Sequence, residues 1–208
     1  MATRLQNRIA ESAATLPAAA VAATLLWWLP HGAYTTTYLL GWAAAALTAA
    51  ILAATDHHNR LIRLRSTQLT PALYLLIIAA AGDLHPIQPA TAAAPLVAAA
   101  IYCLLRTNGQ TQPQLHTFHA HLFIALAALL CAPQLLLLAP ILLACQALYL
   151  RTLSAPALRA AVIGLALPYA LAATATFALR VYEAVGQNAD HTPTTQLLHA
   201  TPAATNPL

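Results

Sequence analysis

The sequence predicts an all-α fold, a polytopic transmembrane helical bundle of about seven spans. Hydrophobic residues make up 60% of the 208 residues and charged residues only 7%, whereas about a quarter of the residues in a soluble domain are charged. The charged side chains stand in short clusters between long apolar stretches, which is typical of loops that alternate with membrane spans. At about 20 residues for each span, the chain has room for roughly seven helices and little else.

Seven apolar stretches supply the predicted spans. They are Ser12–Leu29, Thr36–Thr55, Gln68–Ala81, Ala90–Leu105, Leu115–Ala132, Gln134–Leu150 and Ala160–Leu179. The first ends in Trp27, Trp28 and Pro30 rather than in small residues, so it is interpreted as a span and not as a signal peptide. Its tryptophans are predicted to be anchors at the membrane interface.

The third and fourth stretches carry the weakest signal. Gln68–Ala81 is short for a full crossing, and Ala90–Leu105 contains Pro95, so a re-entrant hairpin is an alternative to two spans. Further along the chain, Pro140 and Pro168 lie inside the sixth and seventh stretches. Both are expected to kink their helices.

The distribution of arginine predicts the orientation. With the N-terminus in the cytoplasm, eight arginines fall on the cytoplasmic side and only Arg180 falls outside. The eight are Arg4, Arg8, Arg60, Arg63, Arg65, Arg106, Arg151 and Arg159. Cytoplasmic loops are enriched in arginine and lysine, so the predicted topology has the N-terminus in and the C-terminus out, in a multi-pass protein of the cell inner membrane.

The composition changes near residue 180. Threonine, asparagine, proline and alanine dominate residues 181–208, without a periodic apolar face. The predicted organisation is therefore a transmembrane helical domain over residues 1–180 and a disordered C-terminal tail over residues 181–208.

A basic segment follows the second span. Arg60, Arg63 and Arg65 alternate with leucine and isoleucine, and such a segment can lie along the interface with its guanidinium groups on anionic lipid headgroups. These arginines are the predicted lipid contact, and the simpler interpretation is an orientation signal.

Asp83 and His85 share a short external turn and are weak candidates for acid–base chemistry. Because one carboxylate and one imidazole make neither a nucleophile nor a metal set, a plain polar turn is the favoured interpretation.

Other polar residues are expected to have structural roles. Thr48, Gln146, Thr174 and Thr176 lie within spans, where helix–helix hydrogen bonds can satisfy them. Five histidines gather on the predicted cytoplasmic side, and interfacial polar residues are favoured over a metal or haem site. The five are His57, His58, His116, His119 and His121. No catalytic, metal or cofactor site is predicted, and nucleic acid is not an expected partner.

Small residues recur at every fourth position of the second span, at Gly41, Ala45, Ala49 and Ala53. Such a row can let another helix approach closely, although in an alanine-rich span it also arises by chance.

Four short motifs carry a resemblance to a family. They are Arg4–Arg8, Asn59–Ser66, Leu84–Pro86 and Leu165–Tyr169. With these motifs the chain resembles the uncharacterised polytopic inner-membrane proteins of the Bacteroidota, hypothetical proteins without an assigned activity. The resemblance extends to about Ala170 and implies a helical membrane fold, and it carries over no site residue.

Three functions are compatible with these features. The leading hypothesis is a non-enzymatic accessory or assembly component of an inner-membrane complex, with the lipid bilayer and other membrane proteins as partners. The alternative is an enzyme or carrier that acts on a lipid-linked substrate, with Arg60, Arg63 and Arg65 on its phosphate. Its difficulty is that Asp83 and His85 lie on the opposite side of the predicted membrane. A small-molecule transporter is the third hypothesis.

Overall fold

In the computed structural model the described part of the chain is helical and contains no strand. The structure describes residue 12, residues 14–29, 35–59, 68–108 and 110–190, with the side chains of 58, 59 and 184–190 excepted. Seven α-helices occupy these residues. They are α1 (Thr15–Trp28), α2 (Thr36–Asn59), α3 (Leu69–Ala80), α4 (Pro89–Arg106), α5 (Pro113–Leu130), α6 (Leu138–Cys145) and α7 (Ala155–Asp190).

Within the described residues, four helical segments are long and apolar enough to cross a membrane. They are Thr36–His57, Pro89–Arg106, Pro133–Leu150 and Ala155–Glu183. Helices α1 and α3 are apolar but shorter, and α5 is not among the four. A helical membrane protein is therefore supported, whereas the seven crossings, the re-entrant alternative and the orientation stay predictions.

The first five helices pack in the spatial order α1, α3, α2, α4, α5. Helix α3 packs against α1 and α2, α2 packs against α4, and α4 packs against α5. Pro89 begins α4 and Pro113 begins α5, each in the first helical turn, where a missing N–H costs nothing. At the start of α4 the Gln88 N–H donates to Thr91 Oγ1 at 2.8 Å and closes a capping box.

The sixth predicted span is a composite of three helical types. A 3₁₀ turn (Pro133–Leu137) precedes α6, and a π-helical turn (Gln146–Leu150) follows it. Pro140 consequently falls in the first turn of α6, where proline needs no kink. The predicted kink at Pro140 is therefore unnecessary, whereas Pro168 does lie inside α7.

The chain divides into two compact units, Met1–Pro168 and Tyr169–Leu208. The division falls within α7, which extends to Asp190 and so includes the first ten residues of the predicted tail. Residues 191–208 lie outside the described residues, and the predicted boundary at residue 180 stays a prediction.

The core of the first unit is built largely from alanine. Of the 20 buried hydrophobic residues in the described chain, 16 are alanine. One cluster joins α4, α5 and α6 around Leu104, Ile124 and Leu142. A second joins α1, α2 and α3 around Trp27. Because alanine side chains are short, the backbones of neighbouring helices can approach closely.

Candidate functional sites

The Asp83–His85 turn packs into the second cluster. The His85 side chain is 1% exposed, its Nε2 lies 2.9 Å from the Ala79 carbonyl, and its ring stacks on Trp27 with centroids 4.1 Å apart. The exposed Asp83 accepts a hydrogen bond at its backbone carbonyl from Gln88 Nε2 at 2.9 Å. His85 thus anchors the turn, and the interior position of its ring suits a structural role better than acid–base chemistry.

Trp27 is a core residue in this arrangement. Its side chain is 2% exposed, and its indole N–H donates to the Tyr38 carbonyl at 3.3 Å. The prediction of an interface anchor is wrong for Trp27, because the His85 ring covers one face of the indole. Sequence alone gave no sign of this pairing, since residues 27 and 85 are far apart along the chain.

The predicted stripe on α2 receives this turn. Gly41, Ala45 and Ala49 are buried, and Ala53 is half-buried. A Cβ added at Gly41 would collide with the His85 carbonyl. In addition, the Ile87 N–H donates to the Thr37 carbonyl at 3.0 Å. A close approach does occur at Gly41, but the partner is the turn after α3 rather than another helix.

The predicted lipid contact lies outside the described residues, since Arg60, Arg63 and Arg65 fall in 60–67. Just before them, Asp56 near the end of α2 is 6% exposed. Its Oδ2 has no hydrogen-bond partner in the described structure. A buried carboxylate is unusual in a membrane helix. Asp56 was not a predicted site residue, because it lies one residue beyond the predicted span.

The four polar residues inside the spans behave differently from one another. The hydroxyl groups of Thr48, Thr174 and Thr176 each donate to a carbonyl three or four residues earlier in their own helix. Gln146 alone reaches another helix, because its Nε2 donates to Thr117 Oγ1 of α5 at 2.8 Å. The prediction of helix–helix hydrogen bonds is therefore confirmed only for Gln146.

Thr117 is the centre of this buried polar link. Its hydroxyl donates to the Pro113 carbonyl at 2.9 Å, and its own carbonyl accepts from His121 Nδ1 at 2.9 Å. Since the hydroxyl proton is used on Pro113, the Gln146 amide nitrogen must face Thr117. Gln146 Oε1 then points elsewhere, and no described donor reaches it.

The histidines do not form a metal site in the described part of the chain, where no three His, Cys, Asp or Glu side chains come together. His121 is fully buried, unlike the predicted interfacial residue, whereas His116 and His119 are half-buried. His57 is exposed, and the side chain of His58 lies outside the described set.

An apolar groove of about 400 Å³ lies between α2, α3, α4 and the turn after α5. Its lining includes Thr48, Tyr74, Ala94, Val97, Cys131 and Leu135, and no charged side chain contributes to it. The Thr48 hydroxyl is already used on the Ala44 carbonyl. The groove can therefore accept a hydrocarbon chain more readily than a polar ligand.

Comparison with known proteins gives no relative from which a site can be transferred. No family model matches the chain, and neither a curated protein nor a solved structure matches it.

Proposed function

We propose that this chain is a non-enzymatic accessory or assembly component of an inner-membrane complex, and that α7 binds a helix of another membrane protein. The proposal rests on the exposure of α7. Its candidate span, Ala155–Glu183, is the most apolar of the four, and only 11% of its most apolar window is buried within the protein.

The residues of α7 in the second unit favour a protein neighbour. Ala170, Thr174 and Ala178 follow one another at every fourth position, and all three are exposed. The comparable row on α2, Gly41, Ala45 and Ala49, is covered by the protein itself. Small residues allow close helix–helix packing in a membrane, and the Thr174 hydroxyl already bonds the Leu171 carbonyl at 2.9 Å. This face therefore suits a second helix.

The cellular setting belongs to the same proposal. Seven spans with a cytoplasmic N-terminus in the inner membrane are proposed from the apolar stretches and the arginine distribution, and four described helices that are long and apolar enough to cross a membrane support the membrane setting. Membership of the Bacteroidota family that the chain resembles is also proposed here, as a setting for an accessory role.

A photo-crosslinking series on α7 tests this function. A crosslinking amino acid at position 170, 174 or 178 should give one discrete protein adduct, while position 172, 176 or 179 on the opposite face should give lipid adducts only. Position 21 on α1 is the matched control, because Val21 is 61% exposed but belongs to no proposed interface. Lipid adducts alone at all seven positions would contradict the proposal.

A second candidate is an enzyme or carrier for a lipid-linked substrate, and the apolar groove favours it. Such a substrate would place its hydrocarbon chain along Val97 and Leu135. Two lining residues, Ala90 and Cys131, lie at helix ends that the predicted topology puts outside. The predicted topology puts the arginine contact on the cytoplasmic side. The phosphate of the lipid would then be separated from its hydrocarbon chain, and for this reason the candidate ranks second.

Native mass spectrometry in mild detergent tests the second candidate. A retained polyprenyl lipid that is lost on Ala94→Phe, which fills the groove, but kept on Ala99→Phe would support it. Ala99 is on the same helix and does not line the groove. Replacing Arg60, Arg63 and Arg65 by lysine should also weaken retention, because lysine lacks the bidentate fork that grips phosphate. Full retention in all variants would exclude this candidate.

A further inference from the structure

The last turn of α4 holds an arginine in a fixed orientation. Arg106 is the final residue of the helix, and one of its terminal nitrogens donates to the Tyr102 hydroxyl at 2.9 Å. The guanidinium carbon also lies 5.7 Å from the centroid of the Tyr102 ring, a cation–π distance. Among the described residues, Tyr102 takes one of the five N–H donors of the guanidinium, so the other donors can reach a ligand.

The beginning of α5 brings more basic groups to the same place. His116 lies within electrostatic range of both Arg106 and His119. His116 and His119 are one helical turn apart and therefore share a face of α5. All three basic side chains are half-buried. The charge of Arg106, which is partly removed from water, attracts an anion more strongly than a fully solvated charge does.

In the described part of the chain, Arg106 interacts with Tyr102 and, electrostatically, with His116, and neither partner is a carboxylate. Helix α4 is an apolar candidate span of 18 residues, which corresponds to about 27 Å. Because the hydrocarbon core is about 30 Å thick, the last residue of such a span lies at the level of the lipid headgroups. The anion that is abundant at this level is the phosphate of a lipid.

We propose that Arg106, oriented by Tyr102 and accompanied by His116 and His119, forms a binding site for the phosphate of an anionic lipid headgroup. Arg106 holds the phosphate oxygens through its free N–H groups, and the Tyr102 hydroxyl keeps the guanidinium plane in position. This site is independent of the partner surface on α7, and of the predicted contact at Arg60, Arg63 and Arg65.

Native mass spectrometry with added phosphatidylglycerol tests the proposal. Arg106→Lys retains the charge but removes the planar fork, so we expect its affinity to fall at least fivefold, about 1 kcal/mol. Tyr102→Phe retains the charge and the ring, and we expect a smaller loss of about threefold. The matched control is Arg159→Lys at an exposed arginine, which should leave the affinity unchanged.

Three outcomes overturn the proposal. The first is equal affinity of Arg106→Lys, Tyr102→Phe and the unaltered protein for phosphatidylglycerol. The second is equally tight binding of phosphatidylcholine, which would show that the net charge of the lipid is irrelevant. The third is displacement of the lipid by millimolar inorganic phosphate, which would identify a site for free anions. Should Arg106→Lys fail to fold, the comparison of Tyr102→Phe with Arg159→Lys decides alone.

Discussion

At the scale of single residues, two glycines lie where the backbones of neighbouring segments approach closely. A Cβ at Gly41 would collide with the His85 carbonyl, and one at Gly164 of α7 would lie 2.5 Å from the Phe118 carbonyl oxygen of α5. In both places the obstacle is backbone, which cannot move aside as a flexible side chain can. These contacts explain why glycine stands at positions where helix propensity alone favours alanine.

We expect Gly41→Ala and Gly164→Ala to destabilise the protein by about 1–3 kcal/mol, since overpacking outweighs the gain of about 1 kcal/mol in helix propensity. Gly82→Ala is the matched control, because nothing lies within 4 Å of a Cβ at this position. Thermal unfolding in detergent measures the difference. If all three variants unfold at the same temperature, an added Cβ at Gly41 or Gly164 meets no backbone obstacle, and the prediction is wrong.

The Thr117–Gln146 link allows a second test at this scale. Thr117→Val removes the acceptor of the Gln146 amide, and leaving a buried donor unsatisfied costs about 1–3 kcal/mol. Adding Gln146→Met removes the donor too, so the double variant should recover most of the loss in unfolding temperature. If the loss in the double variant equals the sum of the losses in the two single variants, the residues do not interact.

At the scale of elements, the sequence located the seven helices of the described residues, because long apolar stretches separated by polar turns leave few alternatives. The type of each helical turn and the apolarity of each helix along its length were not predictable from the apolar stretches alone. The sixth span divided into three helical types around Pro133 and Gln146. Helix α5 is not among the four candidate spans of the described chain, and three histidines within it lower its apolarity. The candidate sites were less predictable, since Trp27 and His85 meet only through packing of distant segments.

The two prolines of the last helical elements should behave differently when replaced. Pro140→Ala should change hydrogen exchange of α6 only slightly, because Pro140 lies in the first turn of α6, where proline is tolerated. Pro168→Ala restores an N–H donor for the Gly164 carbonyl inside α7, so slower amide exchange is expected there. Equal exchange in both variants would mean that Pro168 causes no local weakness.

At the scale of the whole molecule, the predicted property with the widest consequences is the orientation of the chain in the membrane. Four segments in the described part of the chain are apolar and long enough to cross a membrane, and the side of each loop is predicted from the arginines. Two exposed positions can distinguish the two possible orientations. Cys131 follows α5 on the predicted outer side, and Ser154 precedes α7 on the predicted inner side.

Labelling of intact cells with a membrane-impermeant maleimide tests this topology. With Cys103 and Cys145 replaced by alanine, the native Cys131 should react. With Cys131→Ser added and Ser154→Cys introduced, labelling should appear only after the cells are permeabilised. Labelling of position 154 in intact cells, with Cys131 protected, would invert the topology.

The alanine-rich core changes how this protein should be surveyed by mutagenesis. An alanine scan, the usual survey of a core, has nothing to truncate at 16 of the 20 buried hydrophobic positions. The informative survey enlarges side chains instead, because each added methylene pushes helix backbones apart rather than opening a cavity. Tolerance of valine at a position such as Ala100 or Ala125, both fully enclosed, would then measure how far two helices can separate before the bundle fails.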